Sequence, residues 1–156
     1  MKKSLILLLL TGTLWSCNNP RHAENKDVAD TSEAKNHQHG QASEKLVMNS
    51  GVKWEVDAGT SNNVRNLQEI LKKFDSGSDR SLVAYKKTHE DLQHGIDKMV
   101  IECKMNGPAH EALHKWLEPL IAQVAELKQA STVPDAASAL KAIDAQANLF
   151  NQYFEL

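Results

Sequence analysis

Residues 103–114 read CKMNGPAHEALH and hold a thiol, a thioether and two imidazoles four residues apart. The last five letters match H-E-x-x-H, in which two histidines one helical turn apart bind zinc and the glutamate activates its water. The extended zinc-protease form also requires Gly and His where this chain has Leu117 and Leu120. If His110 faces inward, Glu111 points about a hundred degrees away around the helix. The pentapeptide therefore reads as accidental in a chain with seven histidines, and no enzymatic activity is expected.

The same stretch can do other chemistry. Asn106-Gly107-Pro108 should end one helix and start the next, because Gly suits the C′ position and Pro the first helical turn. A turn centred there sets Cys103 level with His110 and Met99 level with His114. Each pair on one helix, Met99 with Cys103 and His110 with His114, has i,i+4 spacing and so shares a face. Met105, in the last turn before the break, is a fifth candidate ligand. Thiolate and thioether favour Cu(I), and thiolate with imidazole suits Zn(II) or copper. Mg(II) or Ca(II) would need carboxylates, which these positions lack. His89 and His94 are too distant, at roughly 21 and 13 Å along the helix from Cys103 at 1.5 Å per residue. There is no C-x-x-C-H for covalent haem attachment. Against the metal reading stands a plainer one, in which Cys103 is a small core residue and the two histidines are exposed polar groups.

Four apolar stripes must position these residues. Val64, Leu67, Leu71 and Phe74 follow helical spacing from about residue 61, after a TSNN segment able to cap. DSGSD (75–79) interrupts the pattern. Leu82, Tyr85, His89, Leu92, Ile96, Met99 and Cys103 form the second stripe, stepping alternately by three and four. His110, Leu113, Leu117, Leu120, Val124 and Leu127 form the third, with Pro119 inside it as an expected kink. Thr132-x-x-Asp135 has the pattern of a capping box before the fourth stripe, Leu140, Ile143, Ala147, Phe150 and Phe154. Histidine on such a stripe is most often a core residue with one hydrogen bond, and Asn66 is the expected partner of His89. The fold class is all-α, an antiparallel up-down-up-down four-helix bundle within a single domain at 45–156. KLVMNSGVKWEVD (45–57) precedes it, with β-prone runs around Asn49-Ser50-Gly51, and reads as a short hairpin or extended strap anchored by Trp54.

The chain opens MKKSLILLLLTGTLWSC, two lysines before an apolar run of about ten residues, too short for a membrane span. Residues 1–16 read as a signal peptide. LWSC resembles the lipobox of bacterial lipoproteins, which implies lipidation of Cys17 and a lipid anchor facing the periplasm from the cell envelope. Residues 17–44 are polar, with His22 and His37-Gln38-His39, and read as a disordered tether spanning roughly 25–30 Å. Removal of Lys2 and Lys3 from the 18 basic residues leaves 16 against 20 acidic ones, a charge of −4. Such a balance, without a basic run, provides no footprint for nucleic acid. With Cys17 lipidated, Cys103 has no partner for an intramolecular disulfide.

The spacing C-x-M-x-G-x-A-H-x-x-L-H, with KWEVD before the first helix and NQYFEL at the end, resembles a group of small bacterial lipoproteins with helical bundles. The resemblance covers about residues 46–156 and brings no activity with it. It implies that Cys103, Met105, His110 and His114 act as one unit. Two functions follow from the residues. One is a lipid-anchored module that binds copper or zinc and passes it to an envelope metal-handling partner. The other is a structural or interaction lipoprotein without metal.

Overall fold

The computed structural model describes residues 45–156. The leader, Cys17 and the His-containing tether lie outside the described residues. Four helices follow in order, α1 (Ala58–Ser76), α2 (Leu82–Glu102), α3 (Gly107–Gln129) and α4 (Val133–Tyr153). Each runs antiparallel to the next, so α1 starts, α2 ends, α3 starts and α4 ends at one end of an all-α four-helix bundle.

Helical spacing of apolar residues predicts most of the core. Val64, Leu67, Leu71, Leu92, Ile96, Leu113, Leu120, Val124, Leu127, Ile143, Phe150 and Phe154 are all buried. Trp116, outside the expected third stripe, is its largest member, with 0 % exposure. Its ring meets Phe150 edge-on at 4.8 Å, and Phe150 in turn stacks on Phe154 at 4.4 Å. Trp116 Nε1 donates to the carbonyl of Gln146, and Gln146 Nε2 donates back to the carbonyl of Trp116, both at 2.8 Å. This reciprocal pair sets the register of α3 on α4 and satisfies the polar end of the buried indole. α3 runs through Pro119 as one helix.

The start of α1 differs from expectation. The helix begins at Ala58, and its cap is Asp57, whose Oδ1 accepts from Thr60 N at 2.6 Å. TSNN lies inside the helix, with Thr60, Ser61 and Asn63 buried. The cap must stand just ahead of the first turn to reach its orphan N–H groups, and Asp57, not the TSNN segment, holds that position. Its second oxygen, Oδ2, accepts from Lys104 N at 2.7 Å. Burial pushes this carboxyl up, but the Thr60 and Lys104 N–H bonds and the Lys104 charge outweigh it and hold the group below its ordinary value of 3.8. Asn63 adds a second tie, donating through Nδ2 to Glu102 Oε2 at 2.7 Å and to the carbonyl of Gly59 at 2.9 Å. Gly59 admits α2 closely, since a Cβ there would lie 3.2 Å from the carbonyl of Glu102.

At the opposite end, Lys86 on α2 donates its ammonium to the carbonyls of Leu127, Lys128 and Ala130. A cation there satisfies the orphan carbonyls of α3 and meets the negative end of its dipole. Arg80 sits 4.7 Å over the Phe74 ring and donates to carbonyls around the α1–α2 turn. Thr132 caps α4 by accepting from Asp135 N, while its hydroxyl donates to Asp135 Oδ2 at 2.6 Å. The box is thus half formed, because the carboxylate takes the hydroxyl proton instead of the cap N–H.

The segment before α1 makes a tight hairpin turn. Asn49 and Val52 exchange both backbone bonds, and Ser50 and Gly51 take positive φ values of 51° and 88°, as a two-residue turn of the I′ type requires. Trp54 anchors the strap through its backbone, N–H to the carbonyl of Tyr153 and carbonyl from Glu155 N, while Nε1 donates to the carbonyl of Val47. Leu46 is buried, in a groove it shares with Lys115, Pro119, Leu149 and Tyr153.

Asp57→Ala removes both the cap and the tie to Lys104. It is expected to lower unfolding free energy by about 1–3 kcal/mol, read as a shift in the urea midpoint. A midpoint within error of the native chain would refute the tie.

Candidate metal centre

The helical hairpin corner places its groups through the α2–α3 link. α2 ends at Glu102, and Cys103 is its C-cap with extended backbone (φ −63°, ψ 123°), its N–H bonded to the carbonyl of Met99 at 2.9 Å. Residues 103–106 form the link, and Asn106 precedes α3 without a side-chain cap bond. Gly107 carries the positive φ of 66°, yet it opens α3 and does not close α2. α2 thus ends at Glu102 with Cys103 as its cap, ahead of the Asn106-Gly107-Pro108 break expected to stop it. The backbone leaves the helix at Cys103, and the next N–H, that of Lys104, goes to Asp57 Oδ2.

Cys103 and His110 do come level. Sγ of Cys103 lies 3.6 Å from Nδ1 of His110, and both residues are half-buried. His114, one turn further and more exposed, brings its Nε2 to 2.9 Å from Nε2 of His110. The two imidazoles meet edge to face, with centroids 4.5 Å apart and planes at 75°. The three groups form a string, thiol to imidazole to imidazole. They do not form the closed Cys-His-His set expected from the sequence. Among the described residues, no three His, Cys, Asp or Glu side chains are grouped to hold a metal ion. The reason is geometric: Cys103 and His114 take opposite nitrogens of the His110 ring.

The methionines divide. Met99 is 1 % exposed and belongs to the hydrophobic core. Met105, in the link, is half-buried and packs against that core. Glu111 is exposed, while Leu117 and Leu120, at the remaining zinc-protease positions, are buried.

His89 stays outside the corner, as its distance along α2 requires, but its expected bond to Asn66 is absent. Asn66 faces Gly95, six residues further along α2, where a Cβ would lie 3.4 Å from Asn66 Nδ2. The link from α1 to α2 extends to Ser81, later than DSGSD suggests, and this slides the register. His89 is 9 % exposed, and its Nε2 finds no hydrogen-bond partner among the described residues. Burial, then the charges of Lys128 and Lys86, hold its pKa below the ordinary 6.5, against a smaller opposing pull from Glu90.

Comparison with known proteins adds no identity: no protein family, curated protein or solved structure matches the chain. Among the described residues, no helix is long and apolar enough to cross a membrane.

The His89 environment sets a pH dependence. Below the ordinary value of 6.5, the unfolded chain takes up a proton that the folded chain resists, so stability falls as pH falls through that range. Urea midpoints at pH 7.5 and about 5.5 are expected to differ more in the native chain than in His89→Gln. Equal differences in the two chains would remove His89 as the cause.

Proposed function

We propose that this protein is a lipid-anchored component of the bacterial cell envelope whose α2–α3 corner binds a transition metal, copper or zinc, for buffering or transfer to an envelope partner. The observation that carries this reading is the string Cys103–His110–His114, three donor-bearing side chains in succession at 3.6 and 2.9 Å. The two Nε2 atoms, 2.9 Å apart, compete for one proton, and once it is displaced a turn of the rings out of their edge-to-face packing would bring both lone pairs to one ion. Imidazole and thiol are ligands for zinc and copper, and hard cations have no carboxylate set here. An exposed, incompletely ligated site suits an ion that is to be handed on, because a coordination position stays accessible to the receiving ligand. The anchor rests on the leader and on LWSC, with Cys17 as the lipidated residue.

The full chain in detergent, titrated anaerobically with Zn(II) and separately with Cu(I), tests the metal. Binding should be stoichiometric, with a Tm raised in proportion to saturation, and His110→Ala/His114→Ala should lose that increment. A native chain that binds no more metal than the double variant leaves the corner as packing, the role of a structural or interaction lipoprotein. Cys17→Ser should abolish incorporation of labelled fatty acid in bacterial cells expressing the chain; continued labelling would move the anchor elsewhere.

A further inference from the structure

His110 shows its two ring nitrogens to different groups, Nδ1 to Cys103 Sγ at 3.6 Å and Nε2 to His114 Nε2 at 2.9 Å. A metal ion bonds an imidazole nitrogen along its lone pair, in the ring plane. An ion on Nε2 of His110 therefore lies at the edge of the ring away from the thiol. Within the metal-binding reading, on which this depends, we infer that the ion sits between the Nε2 atoms of His110 and His114, and that Cys103 is a positioning residue behind His110 and not a ligand.

Three features support the division. The histidines are i,i+4 on one helix, so a single rigid element carries both donors, and the α2–α3 link does not have to close around the ion. Tetrahedral bonds of about 2.0–2.1 Å separate two nitrogens by roughly 3.3 Å, so the nitrogens need part by only a few tenths of an ångström. The rings, edge to face at 75°, turn about their side-chain bonds so that both lone pairs meet the ion. With Nε2 bound to metal, the hydrogen of neutral His110 resides on Nδ1 and donates toward Cys103 Sγ. This outer bond fixes the ring orientation and tautomer, as partners behind metal-binding histidines commonly do. The thioethers take no part: Met99 is buried in the core, and Met105 packs against it. Two neutral imidazoles with open positions suit Zn(II) or Cu(II), in contrast to the thiolate and thioether sets that select Cu(I).

The test uses Co(II) as a spectroscopic substitute for Zn(II), titrated anaerobically into the full chain carrying His22, His37 and His39 as glutamine. Visible cobalt bands are expected without a sulfur-to-cobalt charge-transfer band in the near ultraviolet, and Zn(II) should displace them. Cys103→Ser should retain the bands and weaken binding by about tenfold, the usual cost of losing an outer partner. His114→Ala, on an exposed position that leaves the core intact, should abolish the bands while the circular dichroism melt stays cooperative. A charge-transfer band that disappears in Cys103→Ser would overturn the division and make the thiolate a ligand, leaving the metal-binding reading in place. Absence of any cobalt or zinc binding by the parent chain would overturn both.

Discussion

The carboxylate of Asp57 joins two parts of the molecule that are distant in sequence. One oxygen accepts the N–H of Thr60 in the first turn of α1, and the other takes the N–H of Lys104, 47 residues after Asp57. Both bonds are to charge, and both are short, so each is stronger than an ordinary backbone bond. The consequence is that the end of α2 is held against the start of α1, and the residue just before Lys104 is Cys103. Asn63 and the bare Cα of Gly59 let the same contact close without a gap. The corner is thus supported from α1, an element that contributes no donor to it.

The opposite end is held by different chemistry. There, the ammonium of Lys86 gathers the carbonyls that end α3, and Arg80 spans the turn between α1 and α2 over the Phe74 ring. Between the two ends runs an apolar core in which Trp116, Phe150 and Phe154 contribute the largest surfaces. His89 interrupts it. A buried imidazole nitrogen without a bond costs stability, and burial with two lysines nearby makes the charged form costlier still. The α2–α3 corner and the buried histidine thus face opposite conditions: partners crowd both nitrogens of His110, and Nε2 of His89 finds none among the described residues.

How far these features are legible from the residues varies with the distance over which they act. Spacing of Leu, Ile, Val and Phe identified four helices and most of the buried face, because a helix turns by a constant angle and only one side can be buried. It missed Trp116, which lies three residues after Leu113 and beside Leu117, where two adjacent positions both face inward because the buried stripe on α3 is wide. The levels of Cys103 and His110 follow from a short link and were also readable. The bond from Asp57 to Lys104, the reciprocal Trp116–Gln146 pair and the position of Asn66 opposite Gly95 carry no local signal. Each depends on how far one helix slides along another, and a few residues of link length change that.

From the sequence alone came the class of fold, the number of helices, the hairpin turn at Asn49–Val52 and the short list of donors near Gly107-Pro108. These are set by periodicity, by residues that tolerate unusual φ, and by chemistry confined to a few neighbouring positions. Tertiary structure alone decided that α2 ends at Glu102, that Cys103 and His114 take opposite nitrogens of one imidazole, and that His89 is left without the partner expected for it. The physical reason is that ring orientation and helix register respond to side chains packed from other elements. No window along one helix contains that information.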